Sequence, residues 1–169
     1  MWKIEDVVVY GSAGICKVED IRDEMFGGEI KKYLVLKPLF DDKNTFFVPS
    51  FNERLMAKIR PVLTKSEMNK LIKSLPDIAP EWIDNDKQRL EKYREILESG
   101  DREKIIGILK ALYNRRAYLF EKGKKLRTSD EILMKTGEHI IENECAYIVG
   151  ISRLEVQNYI SENVLKTAK

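Results

Sequence analysis

The side chains that most often carry covalent or metal chemistry are few and widely separated in this sequence of 169 residues. Cys16 and Cys145 stand alone, and His139, beside Ile140 and Ile141, is the single histidine. A structural zinc site needs four closely paired ligands, and a serine or cysteine nucleophile needs a base beside it. We therefore predict no catalytic residue, no metal site, no cofactor and no small-molecule substrate, and we place His139 at a helix surface or core edge.

One segment, Gly11-Ser12-Ala13-Gly14, invites comparison with a phosphate-binding loop. Such a loop needs several closely spaced glycines between a strand and the N-terminus of a helix. The residues after Gly14 alternate between apolar and polar, which is typical of a strand. We therefore interpret the segment as a turn between two strands.

Positive charge is concentrated in one stretch of the chain. Residues 1–58 carry 9 basic and 10 acidic side chains, whereas residues 85–127 carry 13 basic and 7 acidic ones, a local net charge of +6. A phosphate-contacting surface requires such a concentration. Taken alone, however, the charge favours the alternative of an ordinary solvated pair of helices.

The first third of the chain has the short apolar runs and turn signals of antiparallel strands. We predict strands at 7–10, 15–21, 33–36 and 45–48, and a last short strand near 56–60. Gly27-Gly28 and residues 41–44 separate them, and Pro38 and Pro49 end their strands because proline cannot donate to the ladder. This pattern predicts a small antiparallel barrel or roll.

From residue 64 onward the apolar period becomes helical. We predict five helices, at about 64–74, 80–98, 102–121, 129–148 and 153–165. Capping boxes begin three of them, at Thr64, Thr128 and Ser152, and Pro80 suits the first position of another. The helix at 102–121 is apolar around much of its circumference, so we expect it at the bundle centre. The predicted class is α+β, with a β-domain at 1–60 and a helical domain at 61–169.

The sequence also indicates in which cellular compartment the protein is expected. No apolar run approaches the roughly 20 residues that cross a bilayer, and residues 1–6 lack the apolar core of a signal peptide. Two unpaired cysteines favour a reducing environment. We therefore predict a cytoplasmic protein with no membrane partner.

Several segments resemble the CarD/CdnL family of transcription regulators. The polymerase-interacting domain of that family, which also occurs in transcription-repair coupling factors, is similar to residues 6–14 (DVVVYGSAG), 32–37 (KYLVLK) and 48–49 (VP). The family's helical half is similar at Trp82, at Leu90-Glu91-Lys92 and at Ser99-Gly100-Asp101, followed by helices of the expected lengths. The resemblance covers nearly the whole chain in the family's order.

The resemblance implies a Tudor-like β-barrel that docks on the RNA polymerase β subunit, followed by a bundle of about five helices that contacts promoter DNA. It also implies that a tryptophan wedges at the upstream edge of the transcription bubble, and Trp82 lies at the matching position. A flat apolar ring can occupy an unstacked step and hinder its closure. From the residues alone, we interpret Trp82 as a core side chain, which lies next to Arg89 at the margin of the apolar face of the predicted helix at 80–98.

The resemblance further indicates which residues bind each partner. Asp84 and Asp86 follow Trp82 where relatives often carry basic residues, so we expect weak, sequence-independent DNA contact. It would use Trp82 together with Lys87, Arg89, Lys124, Lys125 and Arg127. Where some relatives place arginines on the polymerase-facing strands, this chain has Glu24 and Phe47. The predicted polymerase-binding set is Arg22, Glu24, Thr45, Phe46, Phe47, Val48 and Pro49.

Two other functions remain open. The first is a protein-interaction adaptor, whose β-domain binds polymerase and whose helices bind a second protein without any DNA contact. The second is a Tudor-type reader that holds a cation in an aromatic cage; its rings would be Tyr10, Tyr33, Phe46 and Phe47, which we expect in the barrel core instead. The local charge of +6 favours DNA over the adaptor.

Overall fold

The computed structural model describes residues 1–41 and 43–167, and it has a β-sheet followed by helices. The strands are β1 (Val7–Tyr10), β2 (Gly14–Phe26), β3 (Glu29–Pro38), β4 (Phe46–Pro49) and β5 (Ile59–Pro61). They form one antiparallel sheet in the order β4-β3-β2-β1-β5. The edge strands β4 and β5 do not pair with each other in the described part of the chain, so the sheet is open. The predicted α+β class is confirmed.

Strands β2 and β3 are longer than predicted because they continue as a two-stranded ribbon beyond the rest of the sheet. They pair as far as Phe26 opposite Glu29, whereas β4 pairs with β3 only as far as Tyr33. Gly27 and Gly28, with φ values of 62° and 83°, form the two-residue turn. Turns of this kind need positive φ at both central residues and match the twist of the strands.

The last strand begins later than predicted. Asn52 Oδ1 accepts a hydrogen bond from Leu55 N at 3.1 Å and begins a short helix, α1 (Glu53–Met56). Side-chain capping of this kind stabilises the first turn of a helix. The chain therefore becomes extended only at β5, which pairs with β1.

Five helices of ten residues or more follow within the described residues. They are α2 (Lys65–Ser74), α3 (Asp86–Ser99), α4 (Arg102–Glu121), α5 (Thr128–Val149) and α6 (Val156–Thr167). The capping boxes at Thr64 and Ser152 form, and the second of them begins a 3₁₀ turn that leads into α6. Ile105, Ile108 and Leu112 are fully buried, which confirms that α4 lies at the centre of the bundle.

One predicted helix start and one predicted capping box are wrong. Helix α3 begins at Asp86 rather than near Pro80, because Asn85 Oδ1 accepts from Gln88 N at 3.0 Å and caps it there. Helix α5 begins one residue earlier than predicted, so Thr128 lies inside the helix and its capping box does not form.

The sheet packs directly on the helices through the glycine turn. Gly11 and Gly14 have positive φ values of 46° and 72° and flank a 3₁₀ turn, as the turn interpretation predicts. A Cβ at Gly11 would lie 3.3 Å from Glu98 O of α3, and one at Gly14 would lie 3.6 Å from Ile140 Cα of α5. Because glycine lacks a Cβ, the sheet can approach α3 closely at Gly11, whereas the contact of Gly14 with α5 is of ordinary van der Waals length.

Candidate functional site

Trp82 lies in an irregular segment between α2 and α3, and it is not part of a helix. The segment is fixed to the bundle at Glu81, whose N donates to Gly107 O of α4 at 3.2 Å and whose O accepts from the Tyr93 hydroxyl of α3. A Cβ at Gly107 would lie 3.1 Å from Ala79 O, so the glycine in α4 permits this close approach. The position of Trp82 is therefore set by backbone contacts with α4.

The Trp82 ring is half-buried and held by polar contacts. It packs against the helical core, its Nε1 donates to Asp84 Oδ1 at 2.9 Å, and the Arg89 Cζ atom lies 4.4 Å from the ring centroid. A guanidinium at this distance attracts the π-face of the ring. The ring is thus oriented by the protein while part of it faces solvent.

Arg89 is buried in the helical part and does not face solvent. Its side chain is only 2% exposed, and its Nε and Nη2 donate to both carboxylate oxygens of Asp130, at 2.9 and 2.7 Å. It also donates to Asp86 Oδ1 at 2.8 Å and to Ile83 O at 2.9 Å. The prediction that Arg89 meets a phosphate is therefore corrected, because the guanidinium is already engaged by carboxylates inside the domain.

The predicted DNA-binding residues nevertheless meet at one place. A depression of about 190 Å³ lies between the Trp82 segment and the turn that joins α4 to α5. Five of the six predicted residues line it: Trp82, Arg89, Lys124, Lys125 and Arg127. Lys87 lies apart, on a neighbouring depression beside Asp86 and Arg127.

The turn after α4 directs the basic run towards Trp82. Gly123 has a φ of 68°, and Lys124 N donates to Leu119 O at 2.8 Å. This is the pattern in which a left-handed glycine ends a helix and reverses the chain. Lys124 and Lys125 are exposed, and neither makes an ion pair within the described residues, so both charges are available to a partner.

The acidic residues beside Trp82 both accept hydrogen bonds from neighbouring side chains. Asp84 accepts the indole N–H of Trp82, while Asp86 pairs with both Arg89 and Arg127. The indole N–H is neutral, so Asp84 keeps its negative charge. The charge of Asp86 is balanced by two guanidinium groups, which reduces the repulsion of phosphate expected from the sequence. The pairing also occupies Arg127, which leaves the two lysines as the stronger phosphate donors.

Arg115 also lines the depression, although sequence reasoning did not select it. Its Cζ lies 5.4 Å from the centroid of the Trp82 ring. The only sequence signal is its position three residues before Tyr118, on the same face of α4. The contact between Arg115 and Trp82 depends on how the segment that carries Trp82 packs against α4.

At the sheet, Arg22, Glu24 and Phe47 of the predicted polymerase-binding set lie close together. Arg22 Nε lies 3.3 Å from Glu24 Oε1, and its Cζ lies 5.0 Å from the Phe47 ring centroid. Phe47 is 51% exposed and sits on β4, whose outer edge has no strand partner among the described residues.

The rest of the predicted polymerase-binding set is divided between surface and core. Thr45 is exposed just before β4, and Pro49 ends the strand. Val48 is 1% exposed, and Phe46 packs against Tyr10 with ring centroids 5.7 Å apart. Phe46 and Val48 therefore hold the edge strand in place from the core side.

The four rings of the hypothetical aromatic cage are not brought together. Tyr10 and Phe46 pack on each other beside the core of the sheet, and Tyr33 instead meets Phe51 at 6.0 Å. Phe47 faces Arg22. This arrangement does not favour the Tudor-type function, in which an aromatic cage would bind a cation.

The residues considered for covalent or metal chemistry are dispersed. Cys16 and Cys145 are buried, and burial raises the pKa of the Cys16 thiol to about 12 and that of Cys145 to about 11. Both thiols are therefore protonated at neutral pH. In the described part of the chain no group of three or more His, Cys, Asp or Glu side chains is placed to hold a metal ion. None of the described helices has the length and apolar character to cross a membrane.

One comparison with known proteins bears on the sheet. Residues 2–63 match the family model described as the CarD-like/TRCF RID domain. The match includes all five strands and the predicted polymerase-binding set. Trp82 and the basic residues around it lie outside the matched range.

Proposed function

Because residues 2–63 form a CarD-like RNA polymerase-interacting domain, we propose that this chain is a transcription regulator that stabilises the promoter open complex. In this proposal β4 binds the polymerase β subunit, and the Trp82 depression contacts DNA at the upstream edge of the bubble. The role requires no catalysis, and it places the protein in the cytoplasm of a bacterial-type cell.

The proposed polymerase contact uses the outer edge of β4. An unpaired strand edge can accept a strand from a partner. Backbone hydrogen bonds between the two strands then provide affinity, and the side chains provide specificity. Phe47 offers an exposed apolar surface, and Arg22 and Glu24 beside it offer both signs of charge. The contact in this chain would therefore be more apolar than one made by arginines alone.

The convergence of Trp82 with the basic turn carries the proposed DNA contact. Lys124 and Lys125 are far from Trp82 in sequence, yet all three line one depression. An apolar ring can enter an unstacked base step, and lysines beside it can bind the flanking phosphates without reading sequence. Because Arg89 and Asp84 already orient the Trp82 ring, fixing this side chain on binding should cost little conformational entropy.

The test is the lifetime of open complexes formed by polymerase with the full chain. Trp82→Ala should leave polymerase binding intact and shorten the lifetime about fivefold to hundredfold, because a stacking surface worth roughly 1–3 kcal/mol is lost. Trp82→Phe should have a smaller effect. Trp2→Phe is the matched control, since Trp2 lies in the β-domain, and it should leave the lifetime unchanged.

Thermal unfolding of each variant separates a contact from a packing role. If Trp82 were only a core residue, Trp82→Ala would lower stability by about 3–5 kcal/mol, and all functions would fail together. If folded Trp82 variants bind polymerase and leave the lifetime at its wild-type value, the DNA contact is wrong. That outcome would favour the adaptor, in which the helices bind a second protein.

A further inference from the structure

Arg115 is the arginine at the Trp82 depression whose charge is not balanced by a carboxylate. Three arginines line this depression. Arg89 pairs with Asp130 and Asp86, and Arg127 pairs with Asp86. Within the described residues, Arg115 makes no ion pair. Its positive charge is therefore available at a site where the other two guanidinium charges are neutralised.

The Arg115 guanidinium lies near the faces of two aromatic rings. Its Cζ lies 5.4 Å from the centroid of Trp82 and 5.1 Å from that of Tyr118. Tyr118 is 46% exposed and also has Lys122 Nζ 4.6 Å from its ring centroid. Arg115 and Tyr118 are three residues apart on one face of α4, and Lys122 follows directly after the end of the helix.

This arrangement is suited to a phosphate. A guanidinium that contacts ring faces keeps its N–H groups, which lie in its own plane, free to form paired hydrogen bonds to an anion. The surroundings of Tyr118 are cationic: the hydrogen bond from Lys122, its charge and the charges of Arg115 and Lys124 lower the pKa of the Tyr118 hydroxyl. A phosphate here would thus meet several positive charges on an exposed surface.

We infer that Arg115 binds a DNA backbone phosphate next to the base step that Trp82 enters, and that Tyr118 holds the guanidinium in place. This inference rests on the proposed DNA contact and adds a residue to it. It also gives Trp82 a second role, since the same ring that meets the bases orients the arginine that meets the phosphate.

The same helix supplies a matched control. Arg116 is the next residue, is exposed, and lies over a different tyrosine, with its Cζ 5.2 Å from the Tyr113 ring centroid. Arg115→Ala and Arg116→Ala therefore remove the same charge and the same kind of ring contact. Only Arg115 faces Trp82 and the depression.

The experiment measures binding of the full chain to a short forked DNA duplex over a series of salt concentrations. Arg115→Ala should weaken binding roughly three- to tenfold at low salt and reduce the slope of log K against log salt by about one. Arg116→Ala should change affinity by less than about twofold and leave the slope unchanged. Arg115→Lys, which keeps the charge but not the planar fork, should be intermediate.

Tyr118 is tested in the same assay. Tyr118→Phe keeps the ring and should bind as the wild type does, whereas Tyr118→Ala should lose part of the affinity that Arg115 contributes.

If Arg115→Ala and Arg116→Ala reduce affinity and slope equally, general charge explains the binding and the inference is overturned. If Trp82→Ala shortens the open-complex lifetime but Arg115→Ala changes neither the DNA affinity nor that lifetime, the inference about Arg115 is overturned and the proposed function stands. A wild-type chain that neither binds the fork nor prolongs open complexes overturns both.

Discussion

Glu144 and Arg102 form a buried ion pair where the chain passes from the sheet to the helices. Arg102 Nε and Nη2 donate to the two carboxylate oxygens at 2.8 and 2.7 Å, and the Glu144 side chain is 1% exposed. Glu144 Oε1 also accepts from Leu63 N at 3.1 Å, and Arg102 Nη2 donates to Pro61 O at 3.0 Å. The segment that leaves β5 is thereby attached to both α4 and α5.

Removing this carboxylate should destabilise the whole chain. Glu144→Ala leaves Arg102, 13% exposed, without its partner, and breaking a buried pair costs about 3–5 kcal/mol. Urea unfolding measures the loss. Glu131→Ala on the same helix is the control, because its pair with Lys135 is exposed and 3.7 Å long, so the change should stay below about 0.5 kcal/mol. Equal effects of the two substitutions would contradict a structural role for Glu144.

A second contact between the sheet and the helices should respond to pH. Burial raises the pKa of Glu98, but hydrogen bonds from Lys58, at 2.7 Å, and from Ser12 outweigh it and hold the pKa below its ordinary value of 4.5. A lowered pKa means that the folded state favours the charged carboxylate. The stabilisation is therefore present above about pH 4.5 and is lost as the pH falls through the lowered value.

Glu98→Gln tests this dependence. The wild type should be more stable than the variant at neutral pH, and the difference should shrink towards zero as the pH falls below the lowered pKa of Glu98. Glu95→Gln on the same helix is the control, since Glu95 is exposed and its nearest cation is Lys92 at 3.6 Å. A stability difference for Glu98→Gln that is constant from neutral to acid pH would rule out the charged contact.

The elements defined by local signals were predictable from the sequence. Strand β1 has the predicted bounds, and α4 has the predicted bounds because Asp101 caps it, accepting from Lys104 N at 3.2 Å. The start of α3 was missed because two signals compete locally. Pro80 suits a helix start, but the Asn85 cap and the contact of Glu81 with α4 keep residues 80–85 out of the helix.

The sequence selected residues that the fold brings together around Trp82, but it did not indicate how their side chains pair. The basic residues near Trp82 were identified from charge and resemblance, and five of the six lie together. The inward orientation of Arg89 depends on Asp130, which is 41 residues away in sequence. The part played by Arg115 likewise depends on the packing of α4 against the Trp82 segment. Neither relationship has a local sequence signal.

The polymerase contact can be tested by altering the exposed side chains of its edge. The double variant Arg22→Glu with Phe47→Ala removes an exposed ring and reverses the cation beside it, so binding to the β subunit should weaken at least about tenfold. Binding to forked DNA should not change. Arg94→Glu with Phe120→Ala is the matched control, because both residues are exposed and lie in the helical part. Normal polymerase binding by the first pair would place the interface elsewhere on the sheet.

The last prediction concerns Asp130, which acts on Trp82 through Arg89. Asp130→Asn keeps the shape of the side chain but removes a buried charge that accepts two hydrogen bonds from Arg89. Breaking this pair should cost about 3–5 kcal/mol of stability. Since Arg89 lies 4.4 Å from the Trp82 ring centroid, the ring should become more mobile and more exposed.

Fluorescence of Trp82 in a Trp2→Phe background measures that exposure, and the expected result is a red shift of the emission together with a shorter open-complex lifetime. Asp86→Asn is the control, because Asp86 holds the same Arg89 but is 57% exposed, and its loss should cost about 1 kcal/mol or less. Polymerase binding should be unchanged in both variants at temperatures where they are folded. If folded Asp130→Asn keeps the wild-type emission and lifetime, the buried pair stabilises the bundle without positioning Trp82.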